Sequence, residues 1–148
     1  MIEPVFVDTN VLLYARDAGE PRKQPLAIEW LARLWERRTG RLSYQVLNEY
    51  YVTSTRKLKP GLPRGVAQAD LRDLMAWGPV PTDAMMLEDA WSLEERFALS
   101  HWDALIVAAA RAAGCRYLLT EDLQAGQELD GLVVIDPFTT GPGEAPGS

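Results

Sequence analysis

Val5-Phe6-Val7-Asp8-Thr9-Asn10 is the stretch whose reading decides the fold. Three apolar residues without alternation fit a strand covered on both faces, as in a parallel sheet flanked by helices. The run then stops on three polar residues, and functional groups collect at such carboxyl ends of strands. Further along, Tyr117 to Thr120 and Leu132-Val133-Val134-Ile135 are also of strand length, and longer stretches with apolar residues at helical spacing intervene. That alternation predicts parallel βαβ units and an α/β fold.

The spacing predicts a helix over residues 26–38, with Ala27, Leu31, Leu34 and Trp35 on one face, and another from Tyr44 to about Leu58, opened by Ser43 as N-cap. Two more are expected, from Val66 to Trp77 and from Ala84 to Phe97. Asp83 caps the second of these, which turns Leu87, Ala90, Trp91 and Phe97 toward the core. Ser100-His101-Trp102-Asp103 fits the Ser-x-x-acid start of a helix. The apolar run from Ala104 to Ala110 continues it, and Gly114 suits a left-handed cap.

With 148 residues, 47% of them hydrophobic and 24% charged, the chain is expected to be one domain, and a disordered or collagen-like protein is excluded. Residues 1–139 are assigned to that domain. A Gly- and Pro-rich tail over residues 140–148 is expected to be loose. No apolar run reaches the roughly 18 to 20 residues of a membrane span, and Met1-Ile2-Glu3-Pro4 lacks a basic region followed by an apolar one, so a cytoplasmic protein is expected. A single Cys115 and a single His101 exclude an intrachain disulfide, a cysteine zinc cluster and a His-rich metal site. Any metal must be held by oxygen.

The formal net charge of -6 argues at first against nucleic acid, whose phosphates attract cations. The charge is unevenly spread, however. Residues 1–74 hold 12 Lys/Arg and 9 Asp/Glu, a net of +3, whereas residues 75–148 hold 3 and 12, a net of -9. Arg22, Lys23, Arg37, Arg38, Arg41, Arg56, Lys57 and Lys59 of the first half are candidates to track an RNA backbone. Several of these lie near predicted helix C-termini, where a cation also complements the dipole.

Four acidic positions interrupt or abut apolar patterns: Asp8 after a strand, Glu49 within a helix, Asp103 in the first turn of an apolar helix, and Asp122 after another strand. Each has a plainer role open to it, as turn residue, exposed helix residue, helix cap or loop acid. Charged side chains are rarely buried without partners, and gathered carboxylates need a cation to offset their repulsion. Mg²⁺ or Mn²⁺ suits such oxygen donors and can acidify a water at a phosphodiester.

Phe6-Val7-Asp8-Thr9-Asn10-Val11-Leu12, Gln45-Val46-Leu47-Asn48-Glu49, Trp102-Asp103 followed by Ala104 to Ala110, and Leu119-Thr120-Glu121-Asp122-Leu123 together carry a resemblance. The chain resembles the PIN-domain ribonucleases, and among them the VapC-type toxins of toxin–antitoxin pairs, from Val5 to about Pro137, with the four motifs in the family's order. The resemblance implies a three-layer α/β/α sandwich with a central parallel sheet and metal-dependent endonucleolytic cleavage of RNA, leaving 5'-phosphate and 3'-hydroxyl ends. It also implies a VapB-type antitoxin as partner, and a homodimer. Carried over, Asp8, Asp103 and Asp122 match the metal-site aspartates, Glu49 the helical glutamate that acts directly or through water, and Thr9, Asn10 and Thr120 the supporting polar neighbours. Glu121 competes with Asp122 for the last position; the family's Thr-x-Asp pattern favours Asp122, with Glu121 then facing solvent.

Trp30, Trp35, Trp77, Trp91 and Trp102 are read as core or interface residues rather than base-stacking platforms, and His101 as a cap-region or surface residue. Cys115 is read as a small packed residue. The helix over residues 26–38 is a candidate dimer or antitoxin surface. A phospho-receiver or aspartyl-phosphate hydrolase also places an Asp after its first strand, but both need a later Lys, and none follows Lys59. A catalytically silent PIN-like RNA-binding or scaffolding module is the alternative to the nuclease.

Overall fold

The computed structural model describes residues 3–145. Its sheet has five strands in the order β2-β1-β3-β5-β4: β1 (Val5–Val7), β2 (Gly40–Arg41), β3 (Tyr117–Leu119), β4 (Glu128–Leu129) and β5 (Leu132–Ile135). β1 pairs in parallel with β2 on one side and with β3 on the other, β3 pairs in parallel with β5, and β4 closes the edge antiparallel to β5. Helices cover both faces, which gives the expected α/β/α sandwich. The short β2 and β4 are additions to the strands legible in the sequence. Both are two residues long, too short to carry a pattern.

Among the described residues six helices surround the sheet: α1 (Thr9–Ala15), α2 (Lys23–Arg37), α3 (Tyr44–Arg56), α4 (Arg64–Leu74), α5 (Ala84–Phe97) and α6 (His101–Ala112). A 3-10 turn, Met75–Trp77, follows α4, so the single helix expected over 66–77 divides there. α1 has no counterpart in the sequence reading. It begins directly after β1, and Thr9 and Asn10 are its first residues rather than a strand-end turn. The caps Ser43, Asp83 and Ser100 stand where the sequence puts them, each side chain accepting a bond from the backbone N–H three residues on. Gly114 has φ +72°.

α1 packs on α2 and α3, and α3 on α4; α5 and α6 form a second packed pair, with α6 against β3 and β5. Every residue of α6 from Ala104 to Ala110 is buried. A helix apolar all round must be covered on more than one side, and α5 and the sheet supply that cover. β1 and β3 are buried throughout, as both-face coverage requires. Gly40 is obligatory for packing at β2, because a Cβ there would lie 2.6 Å from the Trp77 indole.

Trp30 and Trp77 are core residues, whereas Trp35, Trp91 and Trp102 are exposed. Trp91, expected to face the core, thus points outward while Ala90 and Leu93 of the same helix are buried. Along its described part, the Gly- and Pro-rich segment from residue 140 makes contacts with the domain. Trp30 Nε1 donates to the carbonyls of Pro137 and Thr140, Pro142 is buried, and Ala145 packs against the core. Residues 146–148 lie outside the described residues. Among the described residues no helix is long and apolar enough to cross a membrane.

Candidate active site

The strand order places a topological switch between β1 and β3: from β1 the chain crosses to β2 on one side, while β3, on the other, comes later in sequence. Crevices outside the carboxyl ends at such a switch are where α/β sheets bind ligands. Asp8 leaves β1 at this point, and Thr120 and Asp122 leave β3. The two strand ends are joined by a bond from the Asp8 N–H to the Leu119 carbonyl at 3.1 Å.

Asp8 is buried. One carboxylate oxygen caps α1, accepting from the Thr9 N–H at 2.7 Å, and the other accepts from Thr120 Oγ1 at 2.8 Å. Burial pushes its carboxyl up to about 6, against the bonds from Thr120 and Thr9, and the charges of Asp122 and Glu49 push the same way. Asn10 Nδ2 sits among three acceptors: Thr120 Oγ1 and Asp122 Oδ2, each at 3.1 Å, and Asp8 Oδ2 at 3.5 Å. Thr120 Oγ1 in turn accepts from the Asp122 N–H. The Asp122 residue is exposed, yet enough of its carboxylate is shielded from water that desolvation is the largest upward influence on it. Asn10 opposes that rise, and the charges of Glu121, Asp103 and Glu49 add to it.

Glu49, exposed on α3, is held from both sides, by Thr9 Oγ1 on Oε2 and Gln45 Nε2 on Oε1, each at 3.0 Å. Gln45 had no separate role in the sequence reading. Its only signal is its spacing, since residues four apart on a helix share a face. Asp103 stands in the first turn of α6, near enough for its charge to raise the Asp122 carboxyl. Asp8, Glu49, Asp103 and Asp122 are thus brought to one edge of the sheet.

Glu121 does not face solvent. It is half-buried, accepting from Tyr14 Oη at 2.6 Å and Lys23 Nζ at 2.7 Å. Lys23, a candidate RNA contact, is therefore occupied as a counter-ion. Arg22 and Arg41 also donate to backbone carbonyls, and Arg37 and Arg56 sit in the last turns of α2 and α3, where the dipole favours them. His101 Nδ1 pairs with Glu94 at 3.1 Å, and burial pushes the Cys115 thiol up to about 12.

Among the described residues no Lys or Arg forms an ion pair with Asp8, Glu49, Asp103 or Asp122. Nor do any three His, Cys, Asp or Glu side chains there converge as a ready metal-ligand group. In kind, the donor set fits a hard divalent cation: carboxylate oxygens without a compensating cation, beside a buried Asn10 Oδ1 that has no hydrogen-bond partner.

The family profile described as PIN domain matches residues 5–127. The chain belongs to the PIN-domain family. Among curated proteins none matches significantly. Solved PIN-like structures do resemble it. One is a toxin–antitoxin complex from Klebsiella pneumoniae, at 18% identity and a TM-score of 0.66, with 90% of this chain and 97% of that one covered. Another is VapC20 of Mycobacterium tuberculosis, a sarcin–ricin loop cleaving toxin, at 27% identity and a TM-score of 0.59, covering 77% and 86%. A third is FitAB bound to a DNA fragment, at 19% identity and a TM-score of 0.67, covering 90% and 95%. At 18% and 19% identity the first and third speak for the PIN fold alone.

Proposed function

We propose that this PIN domain is a metal-dependent endoribonuclease and the toxin of a VapBC-type toxin–antitoxin pair. The observation that carries the reading is the uncompensated carboxylate edge centred on buried Asp8, whose carboxyl is pushed up to about 6. The 27% identity to an RNA-cleaving toxin supports the substrate class.

Asp8, Asp103, Asp122 and Glu49 would hold Mg²⁺ or Mn²⁺, which when bound acidifies a water and offsets charge on a phosphodiester oxygen. Glu49, fixed by Thr9 and Gln45, would orient a water there and accept its proton. Asn10 and Thr120 tie the carboxylates after β1 and β3 together, so that neither can swing away independently. Lys23 and Tyr14 hold Glu121 apart from them.

The cognate antitoxin belongs to the same reading. A groove of about 660 Å³ lined by Leu12, Leu31, Trp35, Tyr50 and Leu74, with the Arg16–Asp70 ion pair beside it, has the apolar character that a partner's helix requires. A homodimer is likewise part of the reading and is checked by sedimentation.

The test is cleavage of a labelled structured RNA pool by the purified chain with Mg²⁺ or Mn²⁺ and with EDTA. Cutting by the wild type, abolished by EDTA and by Asp8→Asn, is expected. No cutting of any RNA, or equal cutting by Asp8→Asn, overturns the reading.

A further inference from the structure

We propose that the groove beside Glu49 and Asp103 is a stacking subsite for an unpaired base of the RNA, with Trp102 as its stacking face. The proposal rests on the ribonuclease reading above and deepens it.

The groove, of about 610 Å³, is bounded by Tyr44, Gln45 and Asn48 of α3, by Thr82, and by His101 and Trp102 at the start of α6. That volume lies in the range of ordinary ligand clefts. Trp102 is 63% exposed and Tyr44 44% exposed, so two aromatic side chains are left to water around one concavity. Single exposed aromatics need no explanation, but a concave pair of them does.

The groove is continuous with the carboxylate edge. The link is Gln45, which lines the groove and also donates to Glu49 Oε1 at 3.0 Å. The Trp102 surroundings are fixed in advance: the His101 ring meets the indole edge-on at 5.4 Å, and His101 Nδ1 is anchored 3.1 Å from Glu94. Across the groove, the Tyr44 N–H donates to the Val80 carbonyl at 3.1 Å. Such prior ordering lowers the entropy lost on binding.

The lining chemistry selects a base. Sequence-specific recognition of RNA works mainly on unpaired bases stacked on aromatic faces and hydrogen-bonded at their edges. Here aromatic faces stand beside the Gln45 and Asn48 amides and the Thr82 hydroxyl. A base is also the uncharged part of RNA, so it can lie beside the carboxylates where a bare phosphate cannot. A second copy of the chain meeting it through this same face would instead bring another set of carboxylates to the rim.

The experiment measures binding of a fluorescein-labelled, randomised single-stranded RNA 12-mer in Mg²⁺ by the full chain in the Asp8→Asn background. Adding Trp102→Ala is expected to weaken binding about tenfold, the scale of one lost base–aromatic stack, and Trp102→Phe to restore most of it. A ribose-phosphate 12-mer lacking bases should not distinguish the Trp102 variants. Equal binding of the RNA by all three proteins, or no binding by any, overturns the proposal. So does a loss on Trp102→Ala that coincides with dissociation of a dimer in sedimentation, which would assign the face to a second copy. Cleavage by the wild-type chain, scored in parallel, separates failure of the groove from failure of the ribonuclease reading.

Discussion

Asn10 Nδ2 stands 3.1 Å from Asp122 Oδ2, so an amide from the first turn after β1 holds the carboxylate delivered by β3. This bond lowers the Asp122 carboxyl against the burial and like charges that raise it. Asn10→Ala removes that opposition. Its cleavage should fall about 10- to 100-fold, the usual cost of losing a partner that orients a metal-site ligand. The acid limb of the kcat/KM profile should also move to higher pH, because Asp122 would then hold its proton longer. An unmoved limb would assign Asn10 a packing role only.

Asp8 carries a stability penalty at neutral pH. Its folded carboxyl is raised from 3.8 to about 6, so the folded state binds the proton more tightly than the unfolded chain does. Stability is therefore greatest below about pH 4 as far as this group is concerned, and is lost as pH rises to about 6. Without metal, Asp8→Asn should stabilise the protein by up to about 3 kcal/mol above pH 7, from about two units at 1.36 kcal/mol each. Urea denaturation in EDTA at pH 4 and pH 8 measures this. A difference between the variants that does not grow with pH would contradict the assignment.

Glu121 and Asp122 are adjacent but differently engaged, and they should separate functionally. Glu121→Gln should leave cleavage within about threefold of wild type, the lost ion pair with Lys23 costing about 1 kcal/mol of stability. Asp122→Asn should lower kcat by 100-fold or more if it belongs to the reacting centre. The reverse order in a side-by-side assay would hand the position to Glu121.

Mn²⁺ should raise the melting temperature of the wild-type chain, since a ion that binds only the folded state stabilises it by about 2.7 kcal/mol at a hundredfold excess over Kd. Asp103→Asn should show a smaller rise. Calorimetry that finds the same shift in both proteins, or none in either, removes Asp103 from the proposed ligand set.

Much of the frame is legible in the sequence because it is set by local interactions. β1, β5 and α5 have the bounds that their apolar runs and caps predict, and Ser43, Asp83 and Ser100 bond to backbone groups three residues away. α1 escaped because seven residues give too little periodicity, and because its cap, Asp8, also reads as the end of a strand. Trp91 and Trp102 show the same limit from another side. Helical spacing says which residues share a face, but whether that face meets a neighbour depends on elements far away in the chain.

By itself, then, the sequence determined the α/β character, the bounds of β1, β5 and α5 and the four acidic positions, because short-range hydrogen bonding and hydrophobic periodicity act within a few residues. Only the tertiary structure decided the rest. Parallel pairing of β1 with β3 brings residues 8 and 120 into contact across more than a hundred positions, gives Asn10 its three acceptors, and turns Glu121 toward Lys23 and away from solvent. These are long-range pairings, fixed by strand order and by burial that raises the Asp8 carboxyl, and neither quantity is written at any single position of the chain.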